Sequence, residues 1–306
     1  MRYYIAIPTY NGGKIWNSVV DNIKKYAPLD TYVYVIDSSS KDETALIAEK
    51  AGFDILTISG NDFNHGSTRN QAVEPFINHY DIVIFLTQDA IPQQGFIEEI
   101  VSAFKDNKVA CAYGRQLPHI DANPIAQHAR NFNYPNRGYV YGKDDIREVG
   151  LKTAFMSNSF SAYKLSVFKD LGGFPSNTIL CEDMFYTAKA ILNGYKVAYI
   201  PGAIVNHSHN YSSLEEFKRY FDIGVFHTDE VWIRQKFGSA GGEGKKFILS
   251  ELSFLFKNAP LWIPIACINN FMKILGYKLG QSYKLFPLKL IKSLSMHKRY
   301  WNEKKS

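Results

Sequence analysis

The sequence predicts an α/β fold, a mostly parallel β-sheet flanked by helices, followed by a helical, basic C-terminal segment. Three observations predict it. Short, nearly continuous apolar runs recur through the first third of the 306-residue chain. Stretches of helical periodicity separate them. The excess of positive charge is confined to the last part of the chain. Continuous apolar runs belong to strands covered on both faces, and strand–helix–strand order marks parallel units.

The elements follow in order. Residues 3–7 form the first strand, and Trp16, Val19, Val20 and Ile23 mark the apolar face of the helix after it. Residues 32–36 are a second strand, rich in β-branched and aromatic types. A helix over 44–50, a strand over 54–58, a helix from Thr68 to about Tyr80, and strands over 82–86 and 109–113 continue the series. Ser40-Lys41-Asp42-Glu43 and Thr68-Arg69-Asn70-Gln71 both fit a capping box, in which a hydroxyl and a carboxyl or amide reciprocally satisfy free helix N–H groups. Residues 115–150 are rich in Pro, Asn, Gly and Tyr and lack periodicity, which predicts a long functional loop or acceptor rim. Further on come a helix over 182–192 stopped by Gly194, a strand over 197–200 and one long amphipathic helix over 214–237. Residues 238–244 form a glycine-rich hinge. The hinge divides the chain into a domain over 1–244 and a helical basic segment over 245–306.

Composition narrows the function classes. The three cysteines are far apart and form no C-x-x-C pair, which argues against a disulfide framework or a structural zinc site. The first residues lack the long apolar stretch of a signal peptide. The apolar run over 259–272 holds two prolines and two asparagines, too interrupted to span a bilayer comfortably. Residues 245–306 hold 12 Lys or Arg against 2 acidic residues, so that residues 1–244 carry −4 of the chain's net +6. A basic segment interleaved with Leu, Ile, Phe and Trp suggests contact with an anionic membrane surface; a solvated helical face is the plainer account. No nucleic-acid-binding motif accompanies it.

The dinucleotide fingerprint and the P-loop are missing: Pro8-Thr9-Tyr10-Asn11-Gly12-Gly13 is not G-x-G-x-x-G, and residues 241–246 end in Lys246 rather than Ser or Thr. Carboxylates stand at the strand ends instead, where open α/β sheets bind ligands. Asp37 follows the second strand, Gln88-Asp89-Ala90 the fourth, and Glu182-Asp183 opens a later helix. Each acid alone is as readily a helix cap. An oxygen ligand at Asp89, joined by a diphosphate, suits Mg²⁺ or Mn²⁺. His207 and His209 follow another strand.

Taken together and in order, these segments resemble family 2 glycosyltransferases with the GT-A nucleotide-sugar-binding fold. The matching runs are 5–11 (IAIPTYN), 35–44 (VIDSSSKDET), 86–90 (LTQDA) and 181–183 (CED). The runs 63–70 (FNHGSTRN), 207–212 (HSHNYS) and 217–224 (FKRYFDIG) resemble the rhamnosyltransferase branch. The resemblance implies that Pro8 and Thr9 line the nucleotide pocket and that Asp37 accepts a hydrogen bond from the base. It implies that Arg69 lies near the base or diphosphate and that Asn64 and Asn70 shape the pocket. Asp89 stands in the family's D-x-D motif, which here reads Gln88-Asp89-Ala90 and keeps one carboxylate. His207 is the implied second metal ligand, with His209 as the alternate. Asp183 matches the catalytic base, and Glu182 is read as structural. The implied reaction is inverting transfer of L-rhamnose from dTDP-L-rhamnose to a saccharide acceptor, lipid-linked, in cell-surface polysaccharide synthesis. The expected location is cytoplasmic, peripheral on the inner face of a bacterial membrane. The alternatives are the same mechanism with a UDP-hexose donor and a non-catalytic glycan-binding protein.

Overall fold

In the computed structural model residues 1–238 and 242–303 are described. The centre of the glycine-rich hinge, residues 239–241, lies outside them. The first half of the chain alternates strands with helices: β1 (Tyr3–Thr9), α1 (Gly13–Tyr26), β2 (Val33–Asp37), α2 (Thr44–Lys50), β3 (Asp54–Thr57), α3 (His65–Val73), β4 (Ile82–Leu86), β5 (Ile91–Pro92) and α4 (Phe96–Ser102). Next come β6 (Val109–Leu117), α5 (Pro124–Asn133), β7 (Tyr139–Tyr141), α6 (Ile146–Val149), β8 (Phe160–Lys164), α7 (Leu165–Asp170), α8 (Glu182–Leu192) and β9 (Lys196–Asn206). The rest is helical: α9 (Ser213–Asp229), α10 (Val231–Phe237), α11 (Glu243–Asn258), α12 (Ile263–Gln281), α13 (Leu288–Leu294) and α14 (Tyr300–Glu303).

Among the described residues one sheet of nine strands, in the order β3-β2-β1-β4-β8-β6-β9-β5 with β7 beside β9, carries the fold. β3, β2, β1 and β4 are parallel, and β8 runs antiparallel to both β4 and β6. β4 is buried at every residue, as a continuous apolar run in a two-faced sheet demands. The two faces define two cores. One gathers Trp16, Val19, Ile23 and Phe96; the other gathers Tyr163, Phe168, Phe174 and Tyr186.

The structure corrects several sequence expectations. Ser40 does not cap α2, which begins at Thr44; its hydroxyl turns to Asp37, and Asp42 Oδ1 accepts from Thr44 N at 3.1 Å. α3 begins at His65 rather than at Thr68, because Asn64 Oδ1 accepts from Gly66 N and Ser67 N at 2.9 and 3.1 Å. It ends at Val73, before the helix-incompatible Pro75. Residues 115–150 are not one long loop: they hold the end of β6, then α5, β7 and α6. The long helix over 214–237 breaks at Glu230, whose non-helical backbone lets its carboxylate accept from Trp232 Nε1 at 2.8 Å.

The basic segment lies against this frame. α12 crosses α9 so closely that a Cβ at Gly276 or Gly280 would overlap the carbonyl of Phe217 or Phe221, and one at Gly224 that of Tyr277. Lys273 pairs with Glu216 across the same interface at 3.2 Å. No helix of the described residues is long and apolar enough to cross a membrane.

Candidate active site

The predicted site residues lie on the loops at the carboxyl ends of β1, β2, β4 and β9, at the start of α3 and within it, and at the start of α8. Among the described residues three non-glycine ones hold a left-handed backbone, Asn11 (φ 48°), Ser39 (φ 59°) and Cys181 (φ 58°), after β1, after β2 and at the start of α8. Such conformations cost energy and persist where surrounding contacts impose them.

Asp37 is 2% exposed. Its Oδ1 accepts from Thr9 Oγ1 at 2.9 Å and Ser40 Oγ at 2.6 Å, and its Oδ2 accepts from Ser40 N at 2.8 Å. A carboxylate offers about four lone-pair sites, so Oδ2 retains capacity for one more donor. Gln88 fixes the loop after β1 from both sides, accepting from Tyr10 N at 2.7 Å and donating to Tyr10 O at 3.0 Å.

Asp89, His207 and His209 form a compact cluster whose ligand atoms all lie within 4.8 Å of one another. Asp89 Oδ2 is 3.4 Å from His207 Nε2 and 3.6 Å from His209 Nε2. The proton on His207 can be placed. Gln116 Oε1 accepts from Arg130 Nη1 at 2.8 Å, so it is an acceptor, and His207 Nδ1 at 2.8 Å must donate to it. Burial lowers the basicity of both imidazoles, that of His209 to about 4. In its neutral form His207, with Nδ1 donating to Gln116, has its Nε2 lone pair toward the carboxylate. Burial works against ionisation of Asp89, and a charge on His207 or His209, when either ring is protonated, lowers its carboxyl below the usual range. One carboxylate and two lone-pair nitrogens, one oriented from behind by an amide, are a donor set that fits a divalent cation.

A second cluster surrounds Asp183. Its Oδ1 accepts from Met184 N at 2.8 Å and its Oδ2 from Asn158 N at 3.1 Å. The neighbouring Glu182 is 5% exposed and accepts from Asn158 Nδ2 at 2.8 Å and from Arg69 Nη1 at 3.1 Å. Asn158 Oδ1 in turn accepts from Ser161 Oγ and Tyr163 Oη. The two acids diverge electrostatically. Burial disfavours the charge on Glu182, but the Arg69 guanidinium wins and keeps its carboxyl below the usual range. Burial and the adjacent Glu182 charge push Asp183 up to about 7.

Arg69 thus stands beside the Glu182–Asp183 pair, 5% exposed. Asn64 and Asn70 also face that side. Asn64 Nδ2 donates to Thr178 O, while Asn70 donates to Phe174 O and accepts from Phe174 N. They hold the loop leading into Asp183. A Cβ at Gly66 would overlap Pro175 O of that loop, so only glycine fits. Sequence reasoning missed Asn158, Gln116 and Arg219. Arg219 lies over the Tyr211 ring at 5.9 Å and is close enough to bias the protonation of His209 and Cys181. It sits in the run 217–224, a signal read only for resemblance.

A family model described as Glycosyl transferase family 2 matches residues 4–172, more than half of the chain. The chain belongs to this family. It is a glycosyltransferase of the rhamnosyltransferase-like branch. It is 53% identical over 99% of its length, and 96% of the relative's, to the O-antigen chain rhamnosyltransferase RfbN of Salmonella typhimurium. It is 51% identical over 98% of its length, and 96% of the relative's, to WbaN of Salmonella anatum, a protein of the same description. Among solved structures, its fold is similar to that of the mannosyltransferase PcManGT from Pyrobaculum calidifontis, in complex with GDP-Man and Mn²⁺. The TM-score is 0.55 at 18% identity, covering 98% of this chain and 85% of that one. TarS 1-349 of S. aureus gives a TM-score of 0.53 at 16% identity, covering 93% and 92%. The GT-A fold expected from the sequence is the fold observed.

Proposed function

We propose that this glycosyltransferase moves L-rhamnose from dTDP-L-rhamnose to a hydroxyl of a saccharide acceptor, with inversion at the anomeric carbon. The sugar and the polysaccharide context rest on near full-length similarity to the two O-antigen chain rhamnosyltransferases. The mechanism rests on one arrangement: Asp183, held by two backbone N–H groups, stands beside Glu182, which pairs with Arg69, and burial and the Glu182 charge push Asp183 up to about 7. Environments that push paired acids apart distinguish a proton acceptor from a fixed charge.

In this reading the acceptor hydroxyl attacks the anomeric carbon from the side opposite the diphosphate. Asp183 takes the hydroxyl proton as the new C–O bond forms and the bond to the diphosphate breaks. The N–H groups of Asn158 and Met184 fix the direction of the carboxylate. Pro8, Thr9, Asp37 and Gln88 form the nucleotide side. Asp89, His207 and His209 would hold Mg²⁺ or Mn²⁺, whose charge offsets that developing on the leaving diphosphate.

The acceptor is lipid-linked in this proposal, and the protein works peripherally at the inner face of the membrane. On α12, Ile265, Ile268, Phe271 and Ile274 are all substantially exposed, and the surrounding segment carries a net +10. An exposed apolar helix face in a basic segment suits an anionic bilayer surface.

A panel of nucleotide sugars with an acceptor extract tests the proposal, with Mn²⁺ or EDTA, for wild type and Asp183→Asn. Turnover of dTDP-rhamnose alone, lost in EDTA and in the variant, is the expected result. Turnover of a UDP-hexose instead would sink the rhamnose assignment and leave the mechanism.

A further inference from the structure

The strand order sets β2 between β1 and β3, so the loops leaving β1 and β3 flank the end of β2 where Asp37 sits. A residue from far along the chain spans those two loops. Arg299 Nη1 donates to the carbonyl of Gly60, in the loop after β3, at 2.6 Å. The same guanidinium lies over the ring of Tyr10, in the loop after β1, 5.6 Å from its centroid. No carboxylate among the described residues lies within ion-pair distance of Arg299.

The segment carrying Arg299 is held on both sides. Before it, Ser295 is fully buried, and Asp222 Oδ2 accepts from Met296 N and His297 N at 2.9 and 3.0 Å. The His297 ring meets that of His65 edge-on at 4.8 Å. After it, Tyr300 Oη donates to Asn177 O at 3.0 Å, and Trp301 is 2% exposed. The chain therefore runs from α9 to the loop before α8, passing across the mouth of the nucleotide side. Fixing a long, solvent-facing arginine costs rotamer entropy. An arginine bears five N–H donors, and Gly60 takes one.

We propose that residues 295–301 form the outer wall of the nucleotide pocket and that Arg299 is a positioning residue for the donor's nucleoside diphosphate. It sets Tyr10 and the Gly60 loop at a fixed separation about Asp37. Its remaining donors face the polar ribose–phosphate portion of the ligand. The inference rests on the nucleotide-sugar reading above.

The test measures binding of dTDP, UDP and GDP to the full chain by calorimetry, for wild type, Arg299→Ala and Arg299→Lys, with donor KM and kcat alongside. Losing a charge-assisted contact and a cation–π contact predicts about a tenfold rise in nucleotide Kd and donor KM for Arg299→Ala. The kcat stays within about twofold, because uniform binding is what is removed. Arg299→Lys recovers part of the affinity, since it keeps the charge and loses the planar fork. Combining Arg299→Ala with Tyr10→Leu should add less than the sum of the two effects. A folded Arg299→Ala protein with wild-type nucleotide Kd and KM would overturn the wall proposal and leave the donor reading standing. A wild type that binds none of the three nucleotides would overturn the donor reading, and this inference with it.

Discussion

A general base working near neutrality needs a carboxyl lifted well above its usual pKa of about 4, and Asp183 has the means: burial first, then the Glu182 charge. The base acts when deprotonated, so kcat/KM should rise with pH up to about 7 and level off above it. Below that point it should fall by about tenfold per pH unit. Glu182→Gln removes the neighbouring negative charge, so the acidic limb should move to lower pH even if the maximal rate drops. A limb that stays in place would show that Glu182 does not tune the base. Asp183→Asn should lose about 10²- to 10⁴-fold in kcat with donor KM little changed. The acids were legible in the sequence because strand ends and a helix start mark them. Asn158 was not, since it acts on Asp183 25 residues away and does so through its backbone N–H. Gln116 was hidden for a similar reason: it meets His207 across 91 residues, and no local pattern announces it.

Among the elements, β1 to β4 and the helices between them were readable because apolar periodicity is local. What escaped depended on distant partners. β8 enters the sheet antiparallel between β4 and β6, and its short run Phe160-Ser161-Ala162-Tyr163-Lys164 carries little apolar signal. α5 did carry its signal, Asn123 as cap with Pro124 at the first turn, but the surrounding Tyr and Gly residues masked it. The α9–α12 contact rests on glycines whose purpose is invisible without the facing helix. There Gly280→Ala would drive a methyl group into Phe221 O. We expect a loss of about 2–3 kcal/mol, or more if the helices cannot part, read from denaturant midpoints. An unchanged midpoint would mean that the helices separate at no cost.

For the molecule as a whole, the division of charge matters more than its sum. The acidic part holds the sheet with Asp37, Asp89 and Asp183, and the basic part exposes an apolar face of α12. Because α12 is interlocked with α9, single substitutions probe the membrane proposal more cleanly than truncation. Ile268→Asp and Phe271→Asp lie on exposed positions and should leave the fold intact. Each should reduce flotation with phosphatidylglycerol vesicles several-fold, and added salt should weaken the wild type toward the same level. Flotation that survives both substitutions would remove α12 from the membrane contact.

The bridge from Arg299 to Tyr10 and Gly60 also has a meaning in time. A chain is made from its first residue onward, and early parts fold while later ones are still being added. β1, β2 and β3, whose loops surround Asp37, have been made when a fifth of the chain exists. The strap over them joins residues 239 apart in sequence and cannot arrive until residue 299 has left the ribosome. Through most of its synthesis, therefore, the loops around Asp37 lack the contact that spans them.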